Sequence, residues 1–548
     1  MADLTPVASW TPEDALHLGR RAGFGLSPEA AAALAAQPPA AAVAAWVDGT
    51  GLDPALFDDV WATRADPVTE PERAASSTPG SVTVPAVPGP HPYLVGGANA
   101  WRRDLTRAQA SLCFRMQYAP HAFAERMALF WHNVFATGNH KVDNPSLMLE
   151  QLATLRAHAL DRFDDLLVLV SKDPAMCVWL DSVRNNASGT NVPNENYARE
   201  VMELYSLGAD NGYSQDDITQ LARALSGWSF TVAEADAIAA PTNPQSRTIA
   251  RGRFRVYDGS PNPDARAWDG STRATLSRMH ASGTITFLGR TFDVGTAPAG
   301  MAPGEDALRS ILASRPAQCS EFLARRLVGH FVTPRFTGQD VADVAAAIRA
   351  AGFDLRAVMK QLLGSAWFFA PEHRHALVEG PVSWIVRAAR ALGLDLAAAD
   401  ARSPKGFPAW ALVVNPQLDG AGMKLLDPAG PNGWKEDVDW LNSNTLRYRT
   451  RFAAAIALEE RYTSSQVTTT LFPTDVPSWF PQPPADPAGV WSRLVALLQP
   501  APVPDAVRDG WLASLWPAGT PFTWDAAGQD RARQLAYLLL CSPAGQLY

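Results

Sequence analysis

Residues 121–137 constrain the fold most strongly, because their helical pattern is apolar on nearly every side. The broad apolar face consists of Phe123, Met127, Phe130, Trp131, Val134 and Phe135. A helix of this kind is buried, so the chain needs a large body to surround it. Its polar members, Glu125, His132 and Asn133, then need partners, since an unpaired buried polar group costs roughly 1–3 kcal/mol.

Composition agrees with a large globular body. The chain has 548 residues, of which 47% are apolar and 19% charged, an ordinary globular balance. Its net charge of -8 includes no basic block, so nucleic acid is not an expected partner. The apolar runs are too short for a membrane span, which needs about 20 residues. The first residues lack a basic stretch followed by an apolar one, which predicts a cytoplasmic protein.

The order of patterns along the chain predicts a mainly α fold with long Pro-rich loops. Alternating runs at 254–257 and 284–288 predict short strands within a small β-containing insertion around 229–300. We expect N-terminal helices in 1–63, a Pro-rich loop in 64–100, a helical core with the central motif in 101–228, the insertion in 229–300, more helical core in 301–462, and a Pro-rich linker with C-terminal helices in 463–548. The four cysteines lie far apart in apolar settings, which favours buried free thiols.

The central motif, residues 194–208, divides into two faces when read as a helix. Ala198, Val201, Met202 and Tyr205 share one side, and Asn196, Arg199, Glu200 and Glu203 share the other. Pro193 and Asn194 give a start signal and Gly208 a stop signal. The polar side is either a solvated face or a functional one, and the pattern alone favours neither.

Two segments carry a resemblance to a known family. They are Glu125-Arg126-Met127-x-x-Phe130-Trp131-His132-Asn133 and the stretch from Asn194 to Leu204. With them, the chain resembles the large bacterial family called domain of unknown function eighteen-hundred. Shorter matches are Arg20-Arg21-Ala22-Gly23-Phe24-Gly25, Tyr213-Ser214-x-x-Asp217, Ala222-Arg223-Ala224-Leu225-Ser226-Gly227-Trp228, Phe287-Leu288-Gly289, Ala324-Arg325-Arg326-Leu327, Pro431-Asn432-Gly433-Trp434 and Trp440-Leu441-Asn442. The resemblance covers most of the chain and implies a mostly helical protein of open function.

The chain departs from the family pattern in three ways. Many members carry a secretion signal, which this sequence does not show. Phe135 stands where the family often has a second histidine, and the late block that begins at Asp427 is looser than the usual double proline. The missing histidine weakens any metal site built on a histidine pair in that helix.

The first functional hypothesis is a hydrolase with a carboxylate pair. Glu200 and Glu203 lie one turn apart, and proximity drives the pKa values of two carboxyls apart, as acid–base chemistry requires. His132 is a further catalytic candidate. Asn133, Asn196, Arg199 and Trp131 are the candidates for substrate binding, and Trp-rich walls suit a carbohydrate-like substrate. The alternative is a structural Arg–Glu network.

The second hypothesis is a metal-dependent enzyme. His140, His132 and Glu200 are suitable ligands for a divalent metal cofactor. The region contains no HExxH or CxxC motif, so spacing gives this hypothesis little support. His140, on a turn after the buried helix, is the better ligand candidate, and His132 alone is typical of a core histidine.

The third hypothesis is a scaffold that binds a protein partner without catalysis. Family members are often encoded beside another family of unknown function, so the resemblance implies a complex. Nucleophilic serine chemistry is not expected, because the sequence has no GxSxG elbow. For either enzyme hypothesis, a small-molecule or polymer substrate would bind where the helix of Trp131 to Asn133 meets the helix of Asn196 to Glu203.

Overall fold

Helices make up most of the described chain in the computed structural model, which describes residues 1–49, 101–119, 122–232, 252–264, 266–269, 271, 273–294, 302–394, 414–459, 461–463, 468–470, 472 and 474–548. The expected Pro-rich loop at 64–100 lies outside these residues. The first helices are α1 (Pro12–Arg21), α2 (Pro28–Ala35), α3 (Pro39–Asp48), α4 (Trp101–Tyr118), α5 (Phe123–Val134), α6 (Asn139–Val142), α7 (Pro145–Ala157), α8 (Phe163–Ser171), α9 (Pro174–Trp179), α10 (Asn196–Glu200) and α11 (Gln215–Ala224). A π-helical segment, Val201–Ser206, continues α10 directly.

The second half of the chain is also helical. Its helices are α12 (Ala302–Ser314), α13 (Pro316–Phe331), α14 (Gly338–Ala350), α15 (Leu355–Leu363), α16 (Pro381–Ala391), α17 (Ser443–Ala457), α18 (Pro487–Leu498), α19 (Asp505–Leu515) and α20 (Ala526–Cys541). Short 3-10 turns are Ser182–Arg184, Pro371–His373, Asp437–Trp440, Val476–Trp479 and Pro543–Gln546, and Val414–Asp419 is a second π-helical segment. The mainly α prediction is therefore confirmed. None of the described helices is long and apolar enough to cross a membrane.

Short antiparallel strands interrupt the helices. They are β1 (Trp228–Val232), β2 (Gly252–Val256), β3 (Arg266–Ala267), β4 (Thr284–Phe287), β5 (Arg290–Asp293), β6 (Arg461–Thr463) and β7 (Thr468–Thr470). β1 pairs with β2 on one side and β3 on the other, with Phe230 opposite Phe254. β4 pairs with β5, and β6 pairs with β7. The small β-containing insertion is confirmed, whereas the β6–β7 hairpin was not expected from the sequence.

The core is continuous from the N-terminal helices to α20. Buried apolar side chains between Ala2 and Leu540 form one cluster, and Trp131, Trp228 and Trp384 are at most 1% exposed within it. All residues of α5 except Ala124 are buried, as its pattern predicts. Glu125 accordingly has a partner, because Arg156 donates to both of its carboxylate oxygens at 2.7 and 2.8 Å.

Local capping signals set the ends of several helices. Ser214 and Asp217 form a reciprocal capping box at the start of α11, as the motif Ser214-x-x-Asp217 predicts. The Asp217 carboxylate also accepts the backbone N–H of Leu288 at 2.8 Å, which ties the β4–β5 hairpin to this helix. Thr337 and Asp340 repeat the capping box at α14.

Candidate functional site

The central motif forms α10 and the π-helical segment that follows it. Tyr197, Ala198, Val201, Met202 and Tyr205 are buried, so the predicted apolar face is confirmed. The Tyr197 hydroxyl donates to Ser171 Oγ at 2.7 Å and holds this face against α8. The motif ends at Gly208, whose φ of 95° suits glycine.

The end of the motif differs from the α-helix expected. The N–H groups of Leu207 and Gly208 both donate to the Met202 carbonyl, at 3.0 and 3.2 Å. The turn that these hydrogen bonds close is wider than a turn of α-helix. Such π-helical turns are frequent at functional sites. The four polar side chains of the motif remain on the partly exposed side.

Arg199 lies at the centre of a polar network on this side. Its guanidinium donates to Glu195 at 3.2 Å, to Glu203 at 3.4 Å and to Gln215 at 3.0 Å. Glu195 also accepts from Gln215 Nε2 and from Thr219 Oγ1, both at 2.7 Å. Arg199 therefore binds two carboxylates, those of Glu195 and Glu203, and its hydrogen bond to Gln215 links α10 to α11.

Glu200 has a different environment from Glu203. Its side chain is half-buried, and among the described residues no group donates a hydrogen bond to it. Burial, together with the negative charge of Glu203 and against the positive charge of Arg199, raises the pKa of Glu200 above its ordinary value. The helix therefore holds one carboxyl with a raised pKa beside another that is bound to an arginine.

Asn196 lies at the first position of α10. Its side-chain N–H donates to the Leu180 carbonyl at 3.3 Å, and its backbone N–H donates to Asn194 Oδ1 at 3.0 Å. These contacts hold Asn196 on the same face as Glu200, partly exposed. Its side-chain oxygen accepts no hydrogen bond from the described residues.

Trp131 and His132 lie fully inside the protein. The Trp131 indole N–H donates to the Ala159 carbonyl at 2.9 Å, and its ring stacks on Phe135 and Phe163. The His132 ring meets Trp434 edge to face at 5.0 Å. Burial lowers the pKa of His132 to about 4, so the imidazole is neutral at neutral pH.

Neither ring nitrogen of His132 has a hydrogen-bond partner within the described ranges. A core histidine normally has hydrogen-bond partners, and no local pattern around His132 indicates that it differs. His132 is therefore a buried polar group beside Trp434, which is also buried and whose indole N–H lacks a partner among the described residues as well.

Asn133 clamps the late sequence block onto α5. Its side-chain oxygen accepts the Trp434 backbone N–H at 2.6 Å, and its amide N–H donates to Glu436 at 2.9 Å. Gly433 packs so closely on Asn133 that an added Cβ would lie 2.3 Å from Asn133 Oδ1. Asn133 therefore has a structural role in this arrangement, since both of its polar groups are used.

His140 is exposed and pairs with the same late block. Its Nδ1 lies 2.6 Å from Asp427 Oδ1, and its backbone N–H donates to the same oxygen at 2.7 Å. Lys424 donates to the other oxygen of Asp427 at 2.7 Å. Burial opposes ionisation of Asp427, but these hydrogen bonds prevail and lower its pKa.

The structure divides the predicted site residues between two places, one beside the segment 427–436 and one beside α11. α5 meets the central motif through an apolar contact, the rings of Phe135 and Tyr205 at 5.3 Å. His132, Asn133 and His140 face the segment 427–436, whereas Arg199 and Glu203 face Glu195 and α11. In the described part of the chain, neither Arg199 nor Glu203 shares a hydrogen bond or ion pair with His132, Asn133 or His140.

The described residues offer no ready metal site. Nowhere among them do three or more His, Cys, Asp or Glu side chains come together to hold a metal ion. In particular, His132 contacts Trp434 and His140 contacts Asp427, while Glu200 lies on the helix of the other place. The ligand set His140, His132 and Glu200 is not supported by this arrangement.

Several residues of both places carried no assigned role from the sequence. Asp427 and Glu436 belong to the late block. Asp427 pairs with His140 in α6 and Glu436 with Asn133 in α5, positions about three hundred apart in sequence. Glu195 lies in the central motif directly before Asn196, the first of the candidate site residues there. Its distance of four residues from Arg199 was the available signal, because such pairs face each other on a helix.

Comparison with known proteins gives a family and no activity. A family model described as a protein of unknown function, DUF1800, matches residues 17–547. No curated protein and no solved structure matches the chain.

Proposed function

We propose, from the premise that this chain belongs to the DUF1800 family of proteins of unknown function, that it is a hydrolase. Glu200 and Glu203 are its carboxylate pair, and its substrate is carbohydrate-like. The observation that carries the proposal is the contrast between the two carboxyls. The pKa of Glu200 is raised by burial and by the charge of Glu203, and Glu203 is bound to Arg199. This is the division of roles that acid–base hydrolysis needs.

The two carboxyls would act in sequence on one bond. Side chains three apart on a helix have Cβ atoms roughly 5–6 Å apart, so both can reach the same substrate atoms. Glu200 donates its proton to the leaving-group oxygen as the bond breaks. Glu203, which is paired with Arg199, faces the positive charge that develops on the sugar ring, and Glu200 then takes a proton from the attacking water.

The substrate class is supported by the polar groups beside the pair. Asn196 presents an amide oxygen without a described donor, and Arg199 adds guanidinium N–H groups. Hydroxyl groups of a sugar both donate to such an oxygen and accept from such N–H groups. Trp131 is not part of this surface, because its side chain is 0% exposed.

The test compares Glu200→Gln and Glu203→Gln with Glu305→Gln. Glu305 is a matched control, because it is a partly buried glutamate in an ion pair, with Lys172, outside the site. We expect wild type to hydrolyse members of a panel of aryl glycosides and polysaccharides. Both site variants should lose about a hundredfold or more in kcat, and the control should not.

The leaving group distinguishes an acid catalyst from a damaged fold. A dinitrophenyl leaving group departs without protonation, so Glu200→Gln should recover most of its activity on such a substrate. Equal losses on good and poor leaving groups would refute the acid role. Absence of wild-type activity on the whole panel would refute the substrate class.

A partner-binding scaffold is the second candidate, and one surface observation favours it. Val438, Leu441 and Leu446 are 64%, 45% and 37% exposed within a short stretch, and exposed apolar patches mark interaction sites. Co-expression with the product of the adjacent gene and size-exclusion chromatography would test it. Replacing Val438 and Leu441 with serine should abolish a complex that the Glu200→Gln variant still forms.

A further inference from the structure

Five arginine side chains are buried together where the N-terminal and C-terminal parts of the chain meet. Arg20, Arg21, Arg126, Arg387 and Arg449 are between 0% and 3% exposed. They come from α1, α5, α16 and α17. Burial lowers the pKa values of Arg20, Arg21 and Arg449, and the positive charge of a neighbouring arginine in the group lowers each of them further. The group is a buried concentration of positive charge, referred to below as the arginine cluster.

Glu379 is the buried carboxylate in direct contact with the cluster. It is 1% exposed and accepts from Arg387 Nε at 2.7 Å. The remaining acceptors are mostly neutral backbone carbonyls. Arg387 donates to Leu498 and Gly545 at 2.6 and 3.2 Å, and Arg449 donates to the Glu379 carbonyl at 2.5 Å. Glu13 and Asp437 also act on the cluster, because their charges raise the pKa values of Arg20 and Arg21 respectively. Buried charge without a counter-charge costs several kcal/mol per ion, and these three carboxylates do not balance five guanidinium groups.

Arg21 has two unused donor atoms, and Arg126, which lies against the same ring, has one, as do Arg20 and Arg449. Arg21 Nη2 donates to the His373 carbonyl at 2.5 Å, and Arg126 donates to the Arg21 carbonyl at 3.2 Å and to Ser383 Oγ. Arg21 Nε, Arg21 Nη1 and Arg126 Nη2 have no partner in the described part of the chain. Both guanidinium groups lie against the ring of Tyr548, with their Cζ atoms 4.8 and 5.2 Å from its centre.

Three charged N–H donors are therefore unused on two guanidinium groups that lie against the same ring. Guanidinium groups donate in pairs to the oxygens of phosphate, sulfate and carboxylate, and such charge-assisted bonds are about twice as strong as neutral ones. An oxyanion at this place would satisfy the unused donors and supply the missing negative charge. A water molecule could satisfy donors but would leave the charge unbalanced.

We infer that Arg21 and Arg126 form a buried binding site for a small free oxyanion, with phosphate or sulfate as its ligand. The near-complete burial of both side chains excludes a phosphoryl group carried on a large molecule. The site is separate from Glu200 and does not depend on the proposed hydrolase activity. Its role is to hold together the four helices that contribute the cluster.

The first measurement uses wild-type protein as purified. The protein is desalted, denatured in acid, and the released anions are identified by ion chromatography and mass spectrometry. Thermal unfolding of the desalted protein is then measured in phosphate, sulfate and chloride at matched ionic strength. We expect either close to one inorganic oxyanion per chain on release, or a saturable rise in Tm with phosphate or sulfate beyond chloride.

The variant Arg126→Lys tests the assignment of residues. Lysine keeps the positive charge but loses the planar pair of donors, so phosphate affinity measured by calorimetry or Tm titration should fall about tenfold or more. The matched control is Arg390→Lys. Arg390 also donates to buried carbonyls, those of Met116, Gln117 and Ala119, but it lies outside the cluster. The control should bind phosphate like wild type.

Three outcomes would overturn the inference. Wild type could release no oxyanion and gain no Tm from phosphate or sulfate beyond chloride. Arg126→Lys could bind phosphate as tightly as wild type, even with lower stability. Release of an organic phosphate in place of an inorganic ion would contradict the assignment to a small free anion. The wild-type release measurement stays decisive where the variant does not fold.

Discussion

Single residues determine how the carboxylate pair responds to pH, and Glu200 is the sensitive one. Its folded-state pKa is raised by burial and by Glu203, so the folded protein binds this proton more tightly than the unfolded chain. Stability from Glu200 is therefore present at low pH and lost as pH rises through the raised pKa. Glu200→Gln should become more stable relative to wild type as pH rises, as measured by urea unfolding across the carboxyl range.

Glu195→Gln is the matched control with the opposite sign. Hydrogen bonds from Thr219 and Gln215, together with Arg199, lower the pKa of Glu195 against the effect of burial. Its contribution to stability is present above the ordinary carboxyl pKa and lost as pH falls. Glu195→Gln should therefore become less stable relative to wild type as pH rises. Parallel pH profiles for the two variants would contradict the environments described for this helix.

Gly433 makes a second residue-scale prediction. Its φ is +79°, and an added Cβ would meet Asn133 Oδ1 at 2.3 Å and the Asn133 carbonyl oxygen at 2.4 Å. Gly433→Ala should cost backbone strain of about 1–2 kcal/mol and also displace the loop from α5. Gly289→Ala is the control, since its φ is +81° with nothing within 4 Å. Thermal unfolding should show a clearly larger loss of stability for Gly433→Ala than for Gly289→Ala. Equal losses would mean that the loop at Gly433 moves away from Asn133 without a cost in stability.

At the scale of elements, the periodic patterns were the most predictable feature. The burial of α5 and the two faces of the central motif follow from apolar spacing, which is local information. The π-helical geometry of Val201–Ser206 does not follow from apolar spacing. A hydrogen-bonded turn that is one residue longer changes the hydrogen bonding but leaves the apolar face nearly intact. The β6–β7 hairpin was missed because its short strands lie in a segment whose prolines and threonines predict a linker.

The capping box of α11 gives the element-scale prediction. Ser214→Ala removes one cap and should cost about 1 kcal/mol. Asp217→Ala also removes the acceptor for Leu288 N–H, so its loss should be about twice as large. Urea unfolding measures both, and hydrogen exchange at Leu288 should quicken only in the Asp217 variant. Equal losses, with unchanged exchange at Leu288, would show that the link to the hairpin contributes no stability.

At the scale of the whole molecule, the sequence predicted the class of fold but not the contacts that join its parts. Asn133 meets Glu436 and Arg20 meets the Gln499 carbonyl, pairs that no local spacing can reveal. The expected site between α5 and the central motif combined residues by their type. The structure distributes them instead, because the face of α5 with His132 is covered by the late block.

The ion pair of Arg387 and Glu379 gives the prediction at this scale. Both side chains are nearly fully buried, and Arg387 also donates to carbonyls after α18 and α20. Arg387→Ala leaves a buried unpaired carboxylate and should lower the free energy of unfolding by about 3–5 kcal/mol. The control Arg508→Ala removes an exposed arginine and should change nothing measurable. A loss for Arg387→Ala as small as that of the control would mean that other contacts hold these segments together.

The arginine cluster also has a consequence for the protein during its own synthesis. Its members and acceptors range from Arg20 to Gln546, so it can form only when almost the whole chain has left the ribosome. At roughly 5–20 residues per second, translation of such a chain takes on the order of half a minute to two minutes. Throughout that time Arg21 and Arg126 lack Tyr548, whose ring they lie against in the folded chain. The contact between the two ends of the chain therefore forms only after synthesis is complete, when the earlier helices have long been available to pack on one another.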